Sequence, residues 1–163
     1  MASKGIVLVR IDDRMIHGIV ATQWIPFLKA NRGMVVNEKA SKSDVIRMSL
    51  KMAIPVGVAL SVLAPSKAAE NFNANKYDGQ RVVVVGKFIS DIYAIWKDGV
   101  QIDELQLGNV TQNDVNDPTT IVIDKTVRVN QEELAMLKEM QAGGVVIYCQ
   151  FAKNDAKKVC AAF

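Results

Sequence analysis

One histidine, His17, stands in a polar stretch near the start of the chain, and it is the residue best suited to chemistry. Arg10, Asp13 and Arg14 precede it, and Gly18 follows it. A neutral imidazole has a nitrogen that can attack phosphorus, and its ordinary pKa of about 6.5 leaves much of it neutral near pH 7. Phosphoryl transfer also needs positive charge and hydrogen-bond donors around the transferred group. The arginines could supply the charge, and the backbone amides around Gly18 could supply the donors.

The same residues also fit a purely structural role. His17 could cap or brace a turn between a strand and a helix. Asp12 or Asp13 could cap that helix and pair with Arg14. Spacing alone leaves the chemical and the structural interpretation open.

Other chemistries lack their motifs in this sequence. Asp12 and Asp13 could suggest the acidic pair of a phosphoaspartate receiver, but residues 60–64, at the end of the third strand, offer no acceptor aspartate. Adjacent carboxylates also point to opposite sides of an extended chain, which argues against a haloacid-dehalogenase-like nucleophile. The glycine patterns of dinucleotide-binding and P-loop proteins and the Gly-x-Ser-x-Gly of serine hydrolases are missing. We therefore expect neither a cofactor nor a metal.

Apolar runs rich in β-branched residues alternate with helical segments, and these elements would position His17. Most of the runs are nearly continuous in apolar character, as expected for strands covered on both faces. The alternation predicts an α/β fold, a doubly wound open sheet of mostly parallel strands with helices on both faces. His17 then follows the first strand, at the edge where such sheets bind ligands. The predicted strands are Ile6–Ile11, Met34–Asn37, Val58–Leu63, Arg81–Gly86, Glu104–Leu107, Thr120–Ile123 and Val145–Gln150.

The helices between these strands have recognisable ends. The first covers residues 18–30, with Trp24 on its core face. The later helices are predicted to begin at Ser41 or Ser43, Pro65, Ser90 and Asn130.

Two segments outside the regular elements also carry expectations. The polar segment 108–118 is predicted to be a loop near the carboxyl ends of the strands, and so a candidate site loop or partner surface. Cys149 is predicted to lie in a strand and Cys160 in a helical tail. We expect both to be free thiols without a catalytic role.

Length and composition bound the remaining possibilities. The 163 residues, half of them hydrophobic, fit one compact domain over residues 1–163. A net charge of +3, with basic and acidic residues evenly mixed, argues against a nucleic-acid partner. The start at Met1–Gly5 lacks the features of a signal peptide, and no apolar run reaches the roughly 18 to 20 residues of a membrane span. We therefore expect a cytosolic protein.

The stretch from Arg10 to Trp24 closely resembles a family signature. It is that of the IIB component of the bacterial phosphoenolpyruvate-dependent sugar phosphotransferase system, in the mannose/fructose/sorbose/N-acetylgalactosamine family. The usual form reads Arg-Ile-Asp-Asp-Arg-Leu-Ile-His-Gly-Gln-Val, with Thr-Trp close behind. The resemblance continues through 35–37 and the Lys-Tyr-Asp-Gly turn at 76–79. Met15 replaces the usual Leu, Ile19 replaces a common Gln, and Gly-Asn-Val at 108–110 replaces a Gly-Gly-Met-like turn.

The resemblance implies a phosphoryl carrier and transferase, a protein-N(pi)-phosphohistidine–sugar phosphotransferase. It would take a phosphoryl group on His17 from a phosphorylated IIA partner and pass it to a sugar held by the membrane permease, IIC and IID. It would be cytoplasmic and would associate with the inner face of the membrane through that permease. The alternative is a non-catalytic regulatory or binding module on the same fold.

The resemblance also assigns roles to residues by position. His17 matches the histidine that is phosphorylated on Nδ1, and Arg14 matches an arginine implicated in transfer to the sugar. Arg10 and Asp13 match motif residues that shape the loop.

Three further residues have predicted roles near the strand ends. Gly18 is predicted to bind phosphate through amides at the helix start, and Lys87 through its charge, although Lys87 fits a solvated position equally well. Asn37 fits either a hydrogen bond to the loop before the first helix or, preferably, a cap of its own turn.

Overall fold

Strands and helices alternate along residues 3–163, which the computed structural model describes. Met1 and Ala2, with which the predicted domain begins, lie outside the described residues. The strands are β1 Ile6–Asp12, β2 Arg32–Val36, β3 Ala59–Leu63, β4 Val82–Gly86, β5 Glu104–Asn109, β6 Ile121–Asp124, β7 Val127–Val129, β8 Val146–Cys149 and β9 Lys158–Val159. Seven of them form one sheet in the order β3-β2-β4-β1-β5-β8-β9. All neighbours in it are parallel except β8 and β9. The predicted mostly parallel sheet is confirmed.

The helices begin close to the predicted positions, with one exception. Ser43 and Asn130 accept backbone hydrogen bonds as N-caps, and Pro65 lies in the first turn of its helix. Ser90 is not a cap, because its helix already starts at Ile89 and the Asp91 carboxylate accepts the Phe88 N–H at 3.0 Å. The helices are α1 Ile25–Phe27, which continues a π-helical turn at Val20–Trp24, α2 Glu38–Ser41, α3 Asp44–Ala53, α4 Pro65–Asn73, α5 Ile89–Lys97 and α6 Gln131–Ala142. Within residues 3–163, none is long and apolar enough to cross a membrane.

Helices cover both faces of the sheet, which explains the continuous apolar strands. Successive strand residues point to opposite faces. In β4, Val82 and Val84 belong to one core cluster, with α4, α5 and α6. Val83 and Val85 belong to the other, with the helical segment after His17 and with α2 and α3. Both sets are fully buried, so a polar side chain on either face of β4 would lower the stability of the fold.

Two predictions near the end of the chain are wrong in part. The predicted strand at Thr120–Ile123 exists as β6, but it pairs only with β7, as an antiparallel hairpin outside the main sheet. The predicted helical tail around Cys160 is instead the short strand β9, which pairs with the otherwise free edge of β8. The two misses have different causes. β9 has only two residues, too few for alternation to show, whereas β6 was located and only its strand partner was missed.

Candidate functional site

The His17 loop, residues 13–17, joins the central strand β1 to a helical segment that starts at Gly18. Its histidine is exposed, and its backbone carbonyl accepts the Ala21 N–H at 3.0 Å. From residues 3–163, no hydrogen bond or ion pair reaches the imidazole of His17. The ring is therefore open to an approaching molecule.

Asp12, the last residue of β1, holds both arginines. One oxygen, Oδ2, accepts hydrogen bonds from Arg10 Nε at 3.2 Å and from Nη2 of Arg10 and Arg14, each at 3.1 Å. The other, Oδ1, accepts the backbone N–H of Arg14 at 3.0 Å and its Nε at 3.1 Å. Asp12 is fully buried, whereas the Arg14 side chain is 34% exposed. Of the two guanidinium cations that Asp12 holds, Arg14 is the one that presents its charge to solvent.

Arg10 is buried, and its guanidinium has further hydrogen-bond acceptors on β5 and just after β8. Its Nη1 donates to Gln106 Oε1 on β5 at 2.6 Å and to the carbonyl of Gln150, after β8, at 3.1 Å. Burial lowers the pKa of the Arg10 guanidinium, and the neighbouring carboxylate of Asp12 opposes that shift. Arg10 is thus held in place, and its hydrogen bonds position Asp12. Asp12 in turn positions Arg14.

Gly108 makes room for this buried guanidinium. Gln106 pairs with Arg10 across neighbouring strands, and Gly108, two residues on, points to the same face. A Cβ at position 108 would lie 2.1 Å from the Arg10 Cζ. A glycine is therefore required here for close approach.

Two aromatic rings border the arginines. The Phe151 ring centre lies 5.0 Å from the Arg14 Cζ and 5.9 Å from the Arg10 Cζ. Trp24 is buried, as predicted, with its ring 6.0 Å from the Arg10 Cζ and its Nε1 donating to the Phe151 carbonyl at 3.1 Å. Each distance suits a cation–π contact. These rings limit the space in which the guanidinium groups can move.

Asp13 ties the His17 loop to the chain after β5. It accepts hydrogen bonds from Asn109 Nδ2 at 2.7 Å and from the N–H and Oγ1 of Thr111 at 2.8 and 2.9 Å. The first residues of the predicted 108–118 loop therefore do lie at the site. Asn109 acts by holding Asp13 through its side chain, which a glycine at that position could not do.

The backbone beside His17 has two unusual features. Met15 has a φ of 63°, the left-handed conformation that non-glycine residues rarely adopt. At Gly18, a Cβ would meet no atom within 4 Å, so the start of the helix faces open space. The first N–H groups of a helix have no intrahelical partner, which makes this end a favourable place for an anion.

Lys87 and Asn37 lie at the same edge of the sheet but away from this network. Within the described part of the chain, no hydrogen bond or ion pair joins Lys87 to the His17 loop, and its Nζ lies 5.5 Å from the Phe88 ring centre. Its phosphate role stays a prediction. Asn37 caps α2, as predicted, by accepting the Ala40 N–H at 2.9 Å, and it donates to Asp91 at 3.0 Å.

The structure thus brings together Arg10, Asp13 and Arg14 from the predicted set, with Asn109 and Thr111 from the segment predicted to be a candidate site loop. It adds three partners that the sequence did not single out, which are Gln106, Gln150 and Phe151. Gln106 had a detectable signal, because it is a polar residue inside an apolar strand. An exposed imidazole on a loop with preorganised positive charge is suited to carrying an anionic group.

Comparison with known proteins agrees with this chemistry. The chain matches the family model described as PTS system sorbose subfamily IIB component over residues 6–163. It is 32% identical over 136 residues to a probable phosphotransferase enzyme IIB component of Streptococcus pyogenes, covering 83% of each protein. It is 30% identical over 146 residues to the N-acetylgalactosamine-specific phosphotransferase enzyme IIB component 2 of Escherichia coli, covering 90% of each. The crystal structure of the IIBSor domain of the sorbose permease from Klebsiella pneumoniae is similar with a TM-score of 0.84 and 27% identity, over 93% of this chain and 91% of that one.

Proposed function

Since the chain belongs to the sorbose subfamily of IIB components of the sugar phosphotransferase system, a family of phosphotransfer components of sugar uptake, we propose that it carries the phosphoryl group on His17. The observation that carries this proposal is the exposed imidazole of His17 on the loop whose Arg14 is held by Asp12. The chain contains one histidine, so a phosphohistidine on this protein has one possible position.

The first step is transfer from a phosphohistidine of a IIA partner. The Nδ1 of neutral His17 attacks phosphorus, and a new N–P bond forms as the N–P bond to the donor imidazole breaks. Arg14 and the amides at Gly18 stabilise the equatorial oxygens of the transferred group. Arg10 and Asp13 contribute by positioning, because their hydrogen bonds fix Asp12 and the His17 loop.

The second step passes the group to a sugar. A hydroxyl of a sugar held by the membrane components IIC and IID attacks phosphorus, the bond to Nδ1 breaks, and the released imidazole takes up the hydroxyl proton, ready for another cycle. The protein then acts as a protein-N(pi)-phosphohistidine–sugar phosphotransferase. It works in the cytoplasm, at the inner face of the membrane.

The test is phosphorylation of the purified chain by a phosphorylated IIA protein and the general phosphotransferase components. We expect intact-mass spectrometry to show an acid-labile gain of one phosphoryl group in the wild type and none in His17→Ala. Because His17 is exposed, the variant should fold like the wild type, which circular dichroism would check. Absence of the label on folded wild-type protein with its cognate donor would overturn the proposal in favour of a non-catalytic binding module.

A further inference from the structure

Two cysteine sulfurs meet at the edge of the sheet, at the other end of the segment that carries Phe151. Cys149 ends β8 and Cys160 follows β9, eleven residues later in the chain. Their Sγ atoms lie 3.9 Å apart, and both are free thiols. Cys149 is buried and Cys160 is half-buried.

The strand register places these side chains together. Cys149 pairs with Lys158 across the antiparallel strands, and the Cys160 N–H donates to the Ile147 carbonyl at 2.8 Å. Alternate residues of a strand share a face, so Cys149 and Cys160 are diagonal neighbours on one face. A disulfide needs an S–S distance of about 2.05 Å, so the sulfurs must approach further. Cys160 packs against the core, whereas Val159 and Ala161 on either side of it are exposed, so a small shift of this edge segment would not displace a fully buried side chain.

We propose that Cys149 and Cys160 form a reversible oxidation site, which closes to an intramolecular disulfide when a hydroperoxide reaches Cys160. In the first step the Cys160 thiolate attacks the peroxide and the O–O bond breaks. This gives a sulfenic acid and, after protonation, an alcohol, or water when the oxidant is hydrogen peroxide. In the second step the Cys149 sulfur attacks the Cys160 sulfur, and water leaves as the S–S bond forms. Two thiols give up two electrons, and the peroxide takes them.

The surroundings favour Cys160 as the attacking sulfur and Cys149 as the resolving one. The hydrogen bond between the two sulfurs lowers the pKa of Cys160, and the same bond together with burial raises the pKa of Cys149. A cavity of about 270 Å³, lined by both cysteines, Asp124, Lys158 and Phe163, gives a small oxidant access. Thiolate character and access are the two properties on which thiol oxidation depends.

The disulfide would act on the segment that borders the arginines. Residues 150–159 lie between the two cysteines, and they include the Gln150 carbonyl and the Phe151 ring that contact Arg10 and Arg14. Oxidation would tie both ends of this segment together. The inference itself does not depend on the proposed phosphoryl transfer, because it is read out by thiol chemistry.

The experiment treats the purified full chain with hydrogen peroxide, unfolds it, blocks remaining thiols with iodoacetamide and measures the intact mass. We expect a species that has lost two hydrogen atoms, carries no alkyl group, yields a peptide linking Cys149 to Cys160, and is restored by dithiothreitol. In Cys149→Ser, dimedone should trap a sulfenic acid on Cys160. In the matched variant Cys160→Ser, Cys149 should stay reduced and open to alkylation after unfolding.

Three results would overturn the proposal. Both wild-type cysteines could remain alkylatable after the peroxide treatment, they could link separate chains instead of closing one, or Cys160→Ser could oxidise as readily as the wild type. If Cys149→Ser fails to fold, the intact mass and the linked peptide of the peroxide-treated wild type are enough to decide. Each result can be obtained without a phosphoryl donor, so failure here is distinct from failure of the proposed function.

Discussion

At the scale of single residues, the two arginines differ in what depends on them. Arg10 is buried and is satisfied by Asp12, Gln106 and the Gln150 carbonyl, so it belongs to the folded core. Arg14 shares Asp12 but is partly exposed, and it is the arginine that we propose contacts the phosphoryl group. One carboxylate thus joins a buried cation to a partly exposed one.

Replacing each arginine by alanine should separate these roles. Arg14→Ala should lower the free energy of unfolding by about 1 kcal/mol or less, because partly exposed ion pairs contribute little, but reduce transfer to the sugar by about a hundredfold or more. Arg10→Ala should lower the free energy of unfolding by about 3 kcal/mol, because it leaves a cavity and removes the buried donor of Asp12, Gln106 and the Gln150 carbonyl. Urea denaturation and a sugar-phosphorylation assay measure the two effects. Equal losses of stability in both variants would contradict this assignment.

Two glycines of the site should respond differently to alanine. Gly108→Ala should lower the free energy of unfolding by about 3 kcal/mol, because the added Cβ would overlap the Arg10 guanidinium. Gly18→Ala is the matched control, since its Cβ meets open space. Its stability should stay within about 0.5 kcal/mol of the wild type, and it should still accept phosphate because the backbone amide is kept. A Gly108→Ala protein as stable as Gly18→Ala would show that Arg10 can move aside.

The predicted and the unpredicted site residues differ in how they reach the site. The predicted residues are close together in the sequence, so a single motif contains all of them: Arg10, Asp13, Arg14 and His17. Gln106 and Phe151 come from β5 and from the chain after β8, about a hundred residues or more away. Only the pairing of β1 with β5, and of β5 with β8, brings them to the arginines.

At the scale of elements, the start of α5 contains a buried carboxyl group with a pH-dependent role. Asp91 accepts the Phe88 N–H and an Asn37 N–H, each at 3.0 Å. Burial raises the pKa of Asp91, and these hydrogen bonds oppose the shift only in part. The folded protein therefore holds this proton more tightly than the unfolded chain does.

The direction in which Asp91 changes stability with pH follows from the linkage between proton binding and folding. An unfolded Asp loses its proton near pH 3.9, whereas folded Asp91 loses it at a higher pH, so folding is disfavoured as the pH rises through that interval. Asp91→Asn carries no such charge. As the pH rises from about 4 to 7, the free energy of unfolding of Asp91→Asn should therefore increase relative to that of the wild type. Urea denaturation of both proteins at the two pH values measures this difference. A difference between the two proteins that is constant with pH, or that moves the other way, would show that the charged form of Asp91 is not disfavoured.

Elements were predictable in proportion to their length. The four valines of β4 form an unbroken apolar run, and the Asn130 cap with its downstream Glu133 marks α6 clearly. β7 and β9 have only three and two residues, so their sequence pattern is too short to read, and the pattern that located β6 did not indicate its partner. β9 exists because the edge of β8 offers a partner, which is a tertiary cause.

At the scale of the whole molecule, β1 lies deep in the sheet with β4 and β5 as its neighbours. The alternation of apolar strands and helices predicts the doubly wound sheet and places His17 at its carboxyl edge. It does not predict the order of the strands, because that order depends on where each crossover connection lands. The site needs this order, since Gln106 contacts Arg10 only if β5 is adjacent to β1.

Stability should decrease from the centre of this sheet to its edges. Every residue of β4 is buried, whereas β3 lies at one edge and is only half-buried over most of its length. We expect native-state hydrogen exchange to show the slowest amides in β1 and β4, and faster exchange in β3 and β9. Protection of β3 equal to that of β4 would mean that another element or molecule covers this edge.

The hydrogen bonds between Asp12 and Arg14 have a further consequence for a phosphoryl carrier. Such a carrier works only if it gives up the phosphoryl group as readily as it accepts it. Asp12 accepts hydrogen bonds from Nε and Nη2 of Arg14 before any phosphate arrives, so its negative charge already offsets part of the positive charge that an incoming phosphoryl group meets. We expect this offset to keep the phosphorylated state shallow in free energy, so that the phosphoryl group leaves as readily as it arrives.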